Sequence, residues 1–134
     1  MSFNTRKAVF DKLSATSGVT SKVSTRIYHA QAPQSATFPY VIFFKSSGTK
    51  VRAFQTPESF KRETWTIKAV ARDSSAKEAE EVAGAIDSAF DGGTISVSGK
   101  TVADLNHTGD VDFIENDGDQ RYYHVGGSYR ITLT

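Results

Sequence analysis

Hydrophobic residues recur along the chain with two spacings, one typical of helices and one typical of strands. Residues 75–90 show the helical spacing, since one face collects Ala79, Val82, Ala83, Ile86 and Phe90. Ser75 and Glu78 have the spacing of a capping box, and Asp91-Gly92-Gly93 supplies a stop signal. This segment is predicted to be the one long helix of the protein.

A shorter helix is predicted at the N-terminus, over residues 3–13. Phe3, Phe10 and Leu13 share a helical stripe there, with Val9 beside it. Ser17-Gly18 is read as the stop.

Strand spacing marks the regions before the long helix. Residues 23–28 are rich in β-forming residues, and residues 40–46 are apolar on both faces, as in a strand covered on both sides or facing a neighbouring subunit. Residues 63–72 alternate, with Trp65, Ile67, Ala69 and Ala71 on one face. Residues 46–60 keep no clear period and are predicted to form a loop or mobile hairpin.

Two further hairpins are predicted after the helix. Residues 94–97 and 100–105 flank Ser98-Gly99, while residues 109–115 and 122–133 flank the turn sequence 116–119. In the last strand Tyr123 is expected in the core and Tyr122 as a solitary surface aromatic. The order of elements predicts a single domain, 1–134, of the α+β class: a mainly antiparallel sheet with one long helix packed on it and a short N-terminal helix.

Composition narrows the class of protein. The 134 residues include no cysteine, which removes disulfides and thiolate sites, and no run of 18 apolar residues that could span a membrane. A soluble intracellular protein with no membrane partner is expected.

Charge is divided between the two halves of the chain. Residues 1–72 carry 12 Lys and Arg against 3 Asp and Glu, whereas residues 73–134 carry 4 against 12. Either the fold interleaves the halves and the charges cancel in space, or the molecule has two oppositely charged faces. Two such faces would suit association of identical subunits through different patches.

Candidate chemistry is sparse. His29, His107 and His124 lack metal-binding spacing, and Ser98 lacks the context of a serine nucleophile. Aligning Gly118 with the glycine of a calcium loop puts Phe113 and His124 where carboxylates are required. We therefore expect no catalytic residues, no metal and no cofactor, and predict that the protein is not an enzyme.

A series of short motifs carries a resemblance to a known family. It consists of Arg26-Ile27-Tyr28, Ala32-Pro33-Gln34 and Phe38-Pro39-Tyr40-Val41, followed by Ala71-Arg72 before a helix that closes with Phe90-Asp91-Gly92. In this order the motifs resemble the tail-completion, or tail-terminator, proteins of long-tailed bacteriophages and prophages. Pro39 itself suits the first position of a strand, because it has no N–H to donate.

The resemblance implies a structural virion protein at the head-proximal end of the tail, assembled in the host cytoplasm. It implies a hexameric ring that caps the tail tube, with the major tail tube protein and the head connector protein as partners and DNA only passing through the lumen. The alternatives are another phage neck or minor tail assembly protein, or a small-molecule-binding α+β module with a pocket between helix and sheet.

Two sets of residues are candidates for contacts between subunits. The basic and aromatic set, which could equally be a solvated loop, is Lys50, Arg52, Phe54, Phe60, Lys61 and Arg62. The acidic set, which could be the complementary patch or could line the lumen, is Asp110, Asp112, Glu115, Asp117 and Asp119.

Overall fold

The computed structural model describes residues 2–51, 60–72 and 76–134, with only the backbone at residues 2, 3, 49–51 and 60. The described chain forms three helices and five strands, in the order α1 (Ser2–Ala15), α2 (Ser17–Val23), β1 (Ile27–His29), β2 (Tyr40–Val51), β3 (Phe60–Arg72), α3 (Lys77–Phe90), β4 (Val102–Asp117) and β5 (Gln120–Leu133).

The strands form one mixed sheet in the order β1-β2-β3-β5-β4. The β2–β3, β3–β5 and β4–β5 pairs are antiparallel, whereas β1 runs parallel to β2 with Ile27 opposite Val41. Parallel neighbours need a crossover connection, and residues 30–39 provide it without a helix. We call residues 30–39 the crossover segment.

The predicted arrangement of one long helix and a short N-terminal helix on a mainly antiparallel sheet is wrong, although the protein is α+β overall. The N-terminal helix α1 and the central helix α3 each have 14 residues, and α2 adds seven more. Ser17-Gly18 does not end the helical region, because Ser17 begins α2. Gly18 allows a close approach there, since a Cβ on it would lie 3.0 Å from the Cβ of Ala85 in α3.

The core lies between the three helices and one face of the sheet. The predicted alternation of β3 is confirmed, since Trp65, Ile67, Ala69 and Ala71 are all buried on this helix-covered face. The stripe of α3 is confirmed at Ala79, Val82, Ile86 and Phe90. The stripe of α1 is misplaced by the prediction, because Ala8, Val9 and Leu13 are buried while Phe10 is 41% exposed.

Other boundaries differ from the predictions in both directions. β2 continues to Val51, through part of the segment predicted as a loop, because it pairs with β3 as far as Phe60. Residues 94–97 form no strand, although Val97 packs into the core. The predicted capping residue Ser75 lies outside the described residues, and Ala76 precedes the helix without a side-chain cap.

The predicted terminal hairpin is confirmed and is longer than expected. Asp117 pairs with Gln120, so that Gly118 and Asp119 form a two-residue turn. Gly118 has φ +62°, a conformation that favours glycine. The hairpin places most of the acidic candidate residues on β4, an outer strand of the sheet.

The crossover segment lies against the sheet face that the helices do not cover, which we call the second face. The Phe38–Pro39 peptide bond is cis, and β2 begins at Tyr40, so that Pro39 lies one residue before the strand and not at its first position as predicted. The Arg26 side chain donates from Nε to the Pro39 carbonyl at 2.9 Å, which fixes the end of the segment beside β1.

Candidate subunit interface

The described residues of the basic set lie at one end of the sheet, and the acidic set runs from the middle of β4 to the opposite end. Strand pairing puts Lys61 opposite Leu133 at one end and Arg72 opposite Tyr122 at the other. The β2–β3 hairpin therefore brings Lys50, Lys61 and Arg62 to the first end, which we call the basic end. The β4–β5 turn brings Asp117 and Asp119 to the second, which we call the acidic end.

A buried carboxylate, which was not predicted from the sequence, pairs with a cation at the basic end. Glu63 is 1% exposed, accepts a hydrogen bond from Trp65 Nε1 at 2.9 Å and pairs with Lys61 Nζ at 3.4 Å. Arg62 points to the second face and is exposed. Lys50 and Phe60 are paired strand residues whose side chains lie outside the description, and Arg52 and Phe54 lie wholly outside the described residues.

At the acidic end the predicted carboxylates divide between the two faces of β4. Asp110 and Asp112 pair with Gly127 and Val125 on the helix side, while Glu115 pairs with Tyr122 on the second face. Two cationic residues, Arg72 and Arg121, also lie at this end of the sheet. All five predicted carboxylates are exposed. The predicted set therefore lies along one strand and its turn, and among the described residues its carboxylates do not come together as the ligands of a metal ion would.

Two of these carboxylates bind histidines. Asp110 Oδ1 lies 3.1 Å from His107 Nε2, and the backbone N–H of His107 donates to Asp91 Oδ1 at 2.9 Å. Glu115 Oε1 lies 2.8 Å from His124 Nε2. These contacts connect the acidic strand to α3 on one side and to β5 on the other.

A pocket of about 420 Å³ opens on the second face beside the acidic end. The crossover segment forms one wall, the strands form the floor and β4 forms the far rim. We call it the aromatic pocket. Besides residues 30–34 of the crossover segment, it is lined by Ala36, Phe38, Tyr40, Ile42, Val70, Glu115, Asp117, Tyr122 and His124.

The aromatic rings of this region contact one another. The Phe38 ring stacks on Tyr122 with centroids 5.5 Å apart and lies 5.0 Å from Tyr40. Tyr40 in turn meets Tyr28 edge-on at 5.8 Å. Tyr122 is therefore part of a cluster and half-buried, which corrects the prediction of a solitary surface aromatic.

Burial and nearby charge alter the ionisation of the groups around the pocket. Burial raises the pKa of Tyr40, and the Glu115 carboxylate raises it further. Burial lowers the pKa of His124, against the opposing effect of its hydrogen bond to Glu115. Both shifts favour the neutral forms of these two side chains, and Glu115 and Asp117 lie on the rim beside them.

Exposed apolar groups lie on the same hairpin. Phe113 is 47% exposed and stacks on the His124 ring at 4.3 Å on the second face, while Ile114 is 53% exposed on the other face. β4 is an outer strand, and β2 beyond Phe43 has no pairing with β1. Open strand edges with exposed apolar side chains are suited to contacts with another chain.

Chemical features beyond binding are few in the part of the chain that the structure describes. The three histidines lie on β1, β4 and β5, and no group of three or more His, Cys, Asp or Glu side chains there is arranged to hold a metal ion. Over the same residues, no helix is both long and apolar enough to cross a bilayer.

The sequence matches the family described as "Tail completion protein gp17" over residues 7–134. The chain belongs to the tail completion protein family. It is therefore a structural protein of a bacteriophage-type tail, as the motif series 26–41 indicated, and its place is in the virion.

Solved structures share the fold of this tail completion protein. A chain of the structure described as "Virion of native gene transfer agent (GTA) particle" aligns with a TM-score of 0.74 at 18% identity, covering 95% of this chain and 93% of that one. A second solved chain aligns with a TM-score of 0.59 at 14% identity over 98% and 95% of the two chains. A search of curated proteins by sequence finds no match.

Proposed function

We propose that this tail completion protein assembles as a ring of identical subunits that caps the tail tube and presents a surface for head joining. The ring is a hexamer in this proposal, with the tail tube protein on one side and the head connector protein on the other, and DNA passes through its lumen. The subunit acts through assembly and carries out no chemistry of its own.

The observation that carries this proposal is the placement of opposite charge at opposite ends of one sheet. Lys61 and Arg62 lie at the basic end, and Glu115, Asp117 and Asp119 lie at or near the acidic end. When one patch of a subunit meets a different patch on the next, the contact repeats, and it closes as a ring if the rotation between subunits divides a full turn. Complementary charge sets the register of such a contact.

A stable contact also needs apolar area, because specific interfaces usually bury about 1,200–2,000 Å² in total. Phe113 and Ile114 supply exposed apolar groups beside the acidic turn. The doubly apolar strand predicted at 40–46 has the second of its faces in the aromatic pocket, through Tyr40 and Ile42. The subunit thus offers both charge and apolar area at the same end.

The test compares charge reversal of Asp117 and Asp119 with loss of the gene. Without the protein, electron micrographs should show overlong or unattached tails. With Asp117→Lys and Asp119→Lys, we expect ring assembly on the tail to fail. Normal rings with slowed genome passage would instead assign the acidic end to the lumen, and normal tails with joined heads would overturn the proposal.

A parallel test addresses the basic end. Replacing Arg52 and Phe54 with Ala, in the segment that connects β2 to β3 outside the described residues, should disturb tail length or head joining if that segment forms the other half of the contact. Intact tails and normal head joining would remove the segment from the proposed interface. Exposed charge on the outer face of α3 serves as the matched control, through Glu80→Lys, which should leave assembly unchanged.

A further inference from the structure

The outer edge of β4 is open over the second half of the strand. The segment after α3 covers the first half, since the Gly92 N–H donates to the Leu105 carbonyl at 2.8 Å and Asp91 Oδ1 accepts from the His107 N–H at 2.9 Å. Beyond His107, no backbone group of the described residues bonds to this edge. An unpaired strand edge is a template for another strand.

The register of the terminal hairpin shows which backbone groups this edge presents. The two-residue turn closes on the pair Asp117–Gln120, and from there hydrogen-bonded and non-hydrogen-bonded pairs alternate along β4. The N–H and C=O groups of Asp112 and Ile114 therefore point away from β5. Both side chains are exposed, so that neither covers the edge.

A second open edge belongs to β2. The strand is covered at its start, where the Val41 N–H donates to the Arg26 carbonyl and the Phe43 carbonyl accepts from the Ala30 N–H, both at 2.9 Å. Pairing with β1 ends at Phe43, and no other described strand follows on that side. The alternating β2–β3 register, with its bulge after Lys45, directs the backbone groups of residues 48 and 50 away from β3.

The two open edges carry opposite charge. Residues 44–51 include two lysines and no carboxylate, whereas residues 109–117 include four carboxylates and no Lys or Arg. Lys45, Asp110 and Glu115 already have contacts within the subunit, so the attraction is between the net charges of the edges and needs no free side chain. Pairing of two β4 edges would oppose carboxylates to carboxylates, which is destabilising.

We propose that the open edge of β4 pairs, antiparallel, with residues 47–51 of β2 in a second copy of this chain, with Asp112 opposite Lys50 and Ile114 opposite Gly48. This inference rests on the proposed ring, for which it names the contact. The directions agree, because three antiparallel steps, β2–β3, β3–β5 and β5–β4, make β2 and β4 run in opposite directions. A second copy in the same orientation thus presents its β2 antiparallel to β4.

This register also matches the apolar positions of the two strands. It opposes Val111 to Val51 and the exposed Phe113 to Thr49, and pairs of aromatic and β-branched residues stabilise neighbouring strands. A slip of one residue would oppose positions of the helix-covered face to positions of the second face. A slip of two residues would leave Phe113 opposite Ser47.

The proposed pairing fixes the offset between neighbouring subunits. Within one subunit Lys50 lies level with Leu133 of β5, through Lys61, whereas Asp112 lies level with Val125. The second copy is therefore displaced by eight residues of β5, about 27 Å, along the strands and by four strand spacings, about 19 Å, across the sheet. Strands of a closed sheet are tilted and staggered in this way, and the offset brings the basic end of one subunit to the acidic end of the next.

Disulfide cross-linking tests the register, because the chain has no cysteine of its own. Val51→Cys and Val111→Cys are introduced together; β3 and β5 separate the two positions within a subunit, so a disulfide between them joins two subunits. Opposed positions of a non-hydrogen-bonded pair have Cα atoms about 4.5 Å apart, within the range of a disulfide. Oxidised tails, and the oxidised protein in solution, should show covalent multimers on non-reducing gels.

The matched control moves one cysteine by two residues. Val51→Cys with Gly109→Cys should cross-link about tenfold more slowly, and equal or faster linking by this pair would overturn the register. Val111→Cys alone should form no dimer, and a dimer of that variant would overturn β2 as the partner of β4.

A proline separates backbone pairing from charge. Asp112→Pro removes an N–H that points away from β5, and proline is tolerated on edge strands, so the β4–β5 ladder should remain. Self-association measured by sedimentation velocity, and ring formation on tail tubes measured by electron microscopy, should fall by at least about tenfold. Asp112→Asn keeps the N–H and should weaken association by less than about threefold. Urea unfolding checks that both variants fold, and equal association of the two would overturn the strand pairing.

The same measurements distinguish the pairing from the proposed function. Cross-linked multimers in solution without any ring on tails would retain the strand pairing and reject the proposed function. Rings on tails in which neither cysteine pair links would retain the proposed function and reject the strand pairing.

Discussion

Glu63 shows how a single residue links the charged end of the sheet to the core. It lies on the helix-covered face of β3, where only 1% of the side chain is exposed, between Lys61 and Trp65 in the strand alternation. Burying a carboxylate is costly unless it is paired and hydrogen-bonded, and here both conditions are met by residues two positions away.

Replacement of Glu63 should separate its hydrogen bond from its charge. Glu63→Ala leaves the buried Trp65 N–H without its acceptor, and we expect the free energy of unfolding to fall by about 1–3 kcal/mol. Glu63→Gln retains an acceptor oxygen and should cost less. Urea unfolding followed by fluorescence of Trp65, the one tryptophan of the chain, measures both, and equal losses would contradict the role of the hydrogen bond.

At this scale the sequence predicts side-chain direction better than side-chain partners. Alternation in β3 placed Trp65 and Ile67 in the core, and both are buried there. The same alternation gave no reason to place Tyr122 against Phe38, because that contact depends on where residues 30–39 cross the sheet. The aromatic pocket was missed for this reason, although its residues recur at alternate positions of β2 and β5.

Among the elements, β5 pairs along most of its length with both β3 and β4. Gly126 lies opposite Lys68 of β3. A Cβ there would press on the Ile67 carbonyl oxygen and lie 2.5 Å from Lys68 Cα. At Gly109, on β4, no atom of the described residues other than its own and those of its two chain neighbours lies within 4 Å of the position that a Cβ would take.

These two glycines provide a matched pair of substitutions. Gly126→Ala should force β3 and β5 apart locally and lower the free energy of unfolding by about 1–3 kcal/mol, the usual cost of overpacking. Gly109→Ala removes the same backbone freedom from the unfolded chain without a clash, and should change stability by less than about 0.5 kcal/mol or raise it slightly. Thermal and urea unfolding of both variants would test this, and equal effects would show that packing at Gly126 is not limiting.

Sequence patterns over a few neighbouring residues predicted the elements whose structure depends on interactions between neighbouring residues. The turn at 116–119 and the stripe of α3 depend on neighbouring residues, and both are confirmed. The parallel pairing of β1 with β2 was not predicted, because ten intervening residues with Pro33 and Pro39 do not reveal whether they form a hairpin or a crossover. The predicted strand at 94–97 is wrong, because the apolar side chains of Ile95 and Val97 pack on the core without any strand pairing of their backbone.

For the whole molecule, the described members of the two candidate sets remain apart along the sheet, although Arg72 lies at the acidic end and Asp104 pairs with Thr132 near the basic end. Antiparallel pairing could have superimposed the two halves and cancelled their charges. Instead, β2 ends and β3 begins at the end of the sheet opposite the β4–β5 turn, so that Lys61 and Arg62 lie apart from Asp117 and Asp119. The sequence supplied the two candidate sets, and only the strand register separates them in space.

Stability as a function of pH is expected to reflect His124, which lies where these elements meet. Its ring stacks on Phe113 and binds Glu115 from β4, while Lys68 faces it from β3 and repels its protonated form. Its Nδ1 is buried and has no hydrogen-bond partner among the described residues. Burial lowers the pKa of His124 below the ordinary 6.5, so the folded state favours the neutral ring.

The sign of the effect follows from this direction. Well above pH 6.5 the ring is neutral in both states and pH has no effect through it, whereas below pH 6.5 the unfolded chain takes up the proton first and the free energy of unfolding falls. His124→Gln should flatten this fall between pH 7.5 and 5.5, above the range in which most carboxylates titrate. His29, whose pKa is also lowered by burial and by Arg6, should account for part of the remaining slope, so His29→Gln is the companion variant. Urea unfolding at several pH values measures the slopes, and a slope unchanged by His124→Gln would show that His124 is not the group responsible.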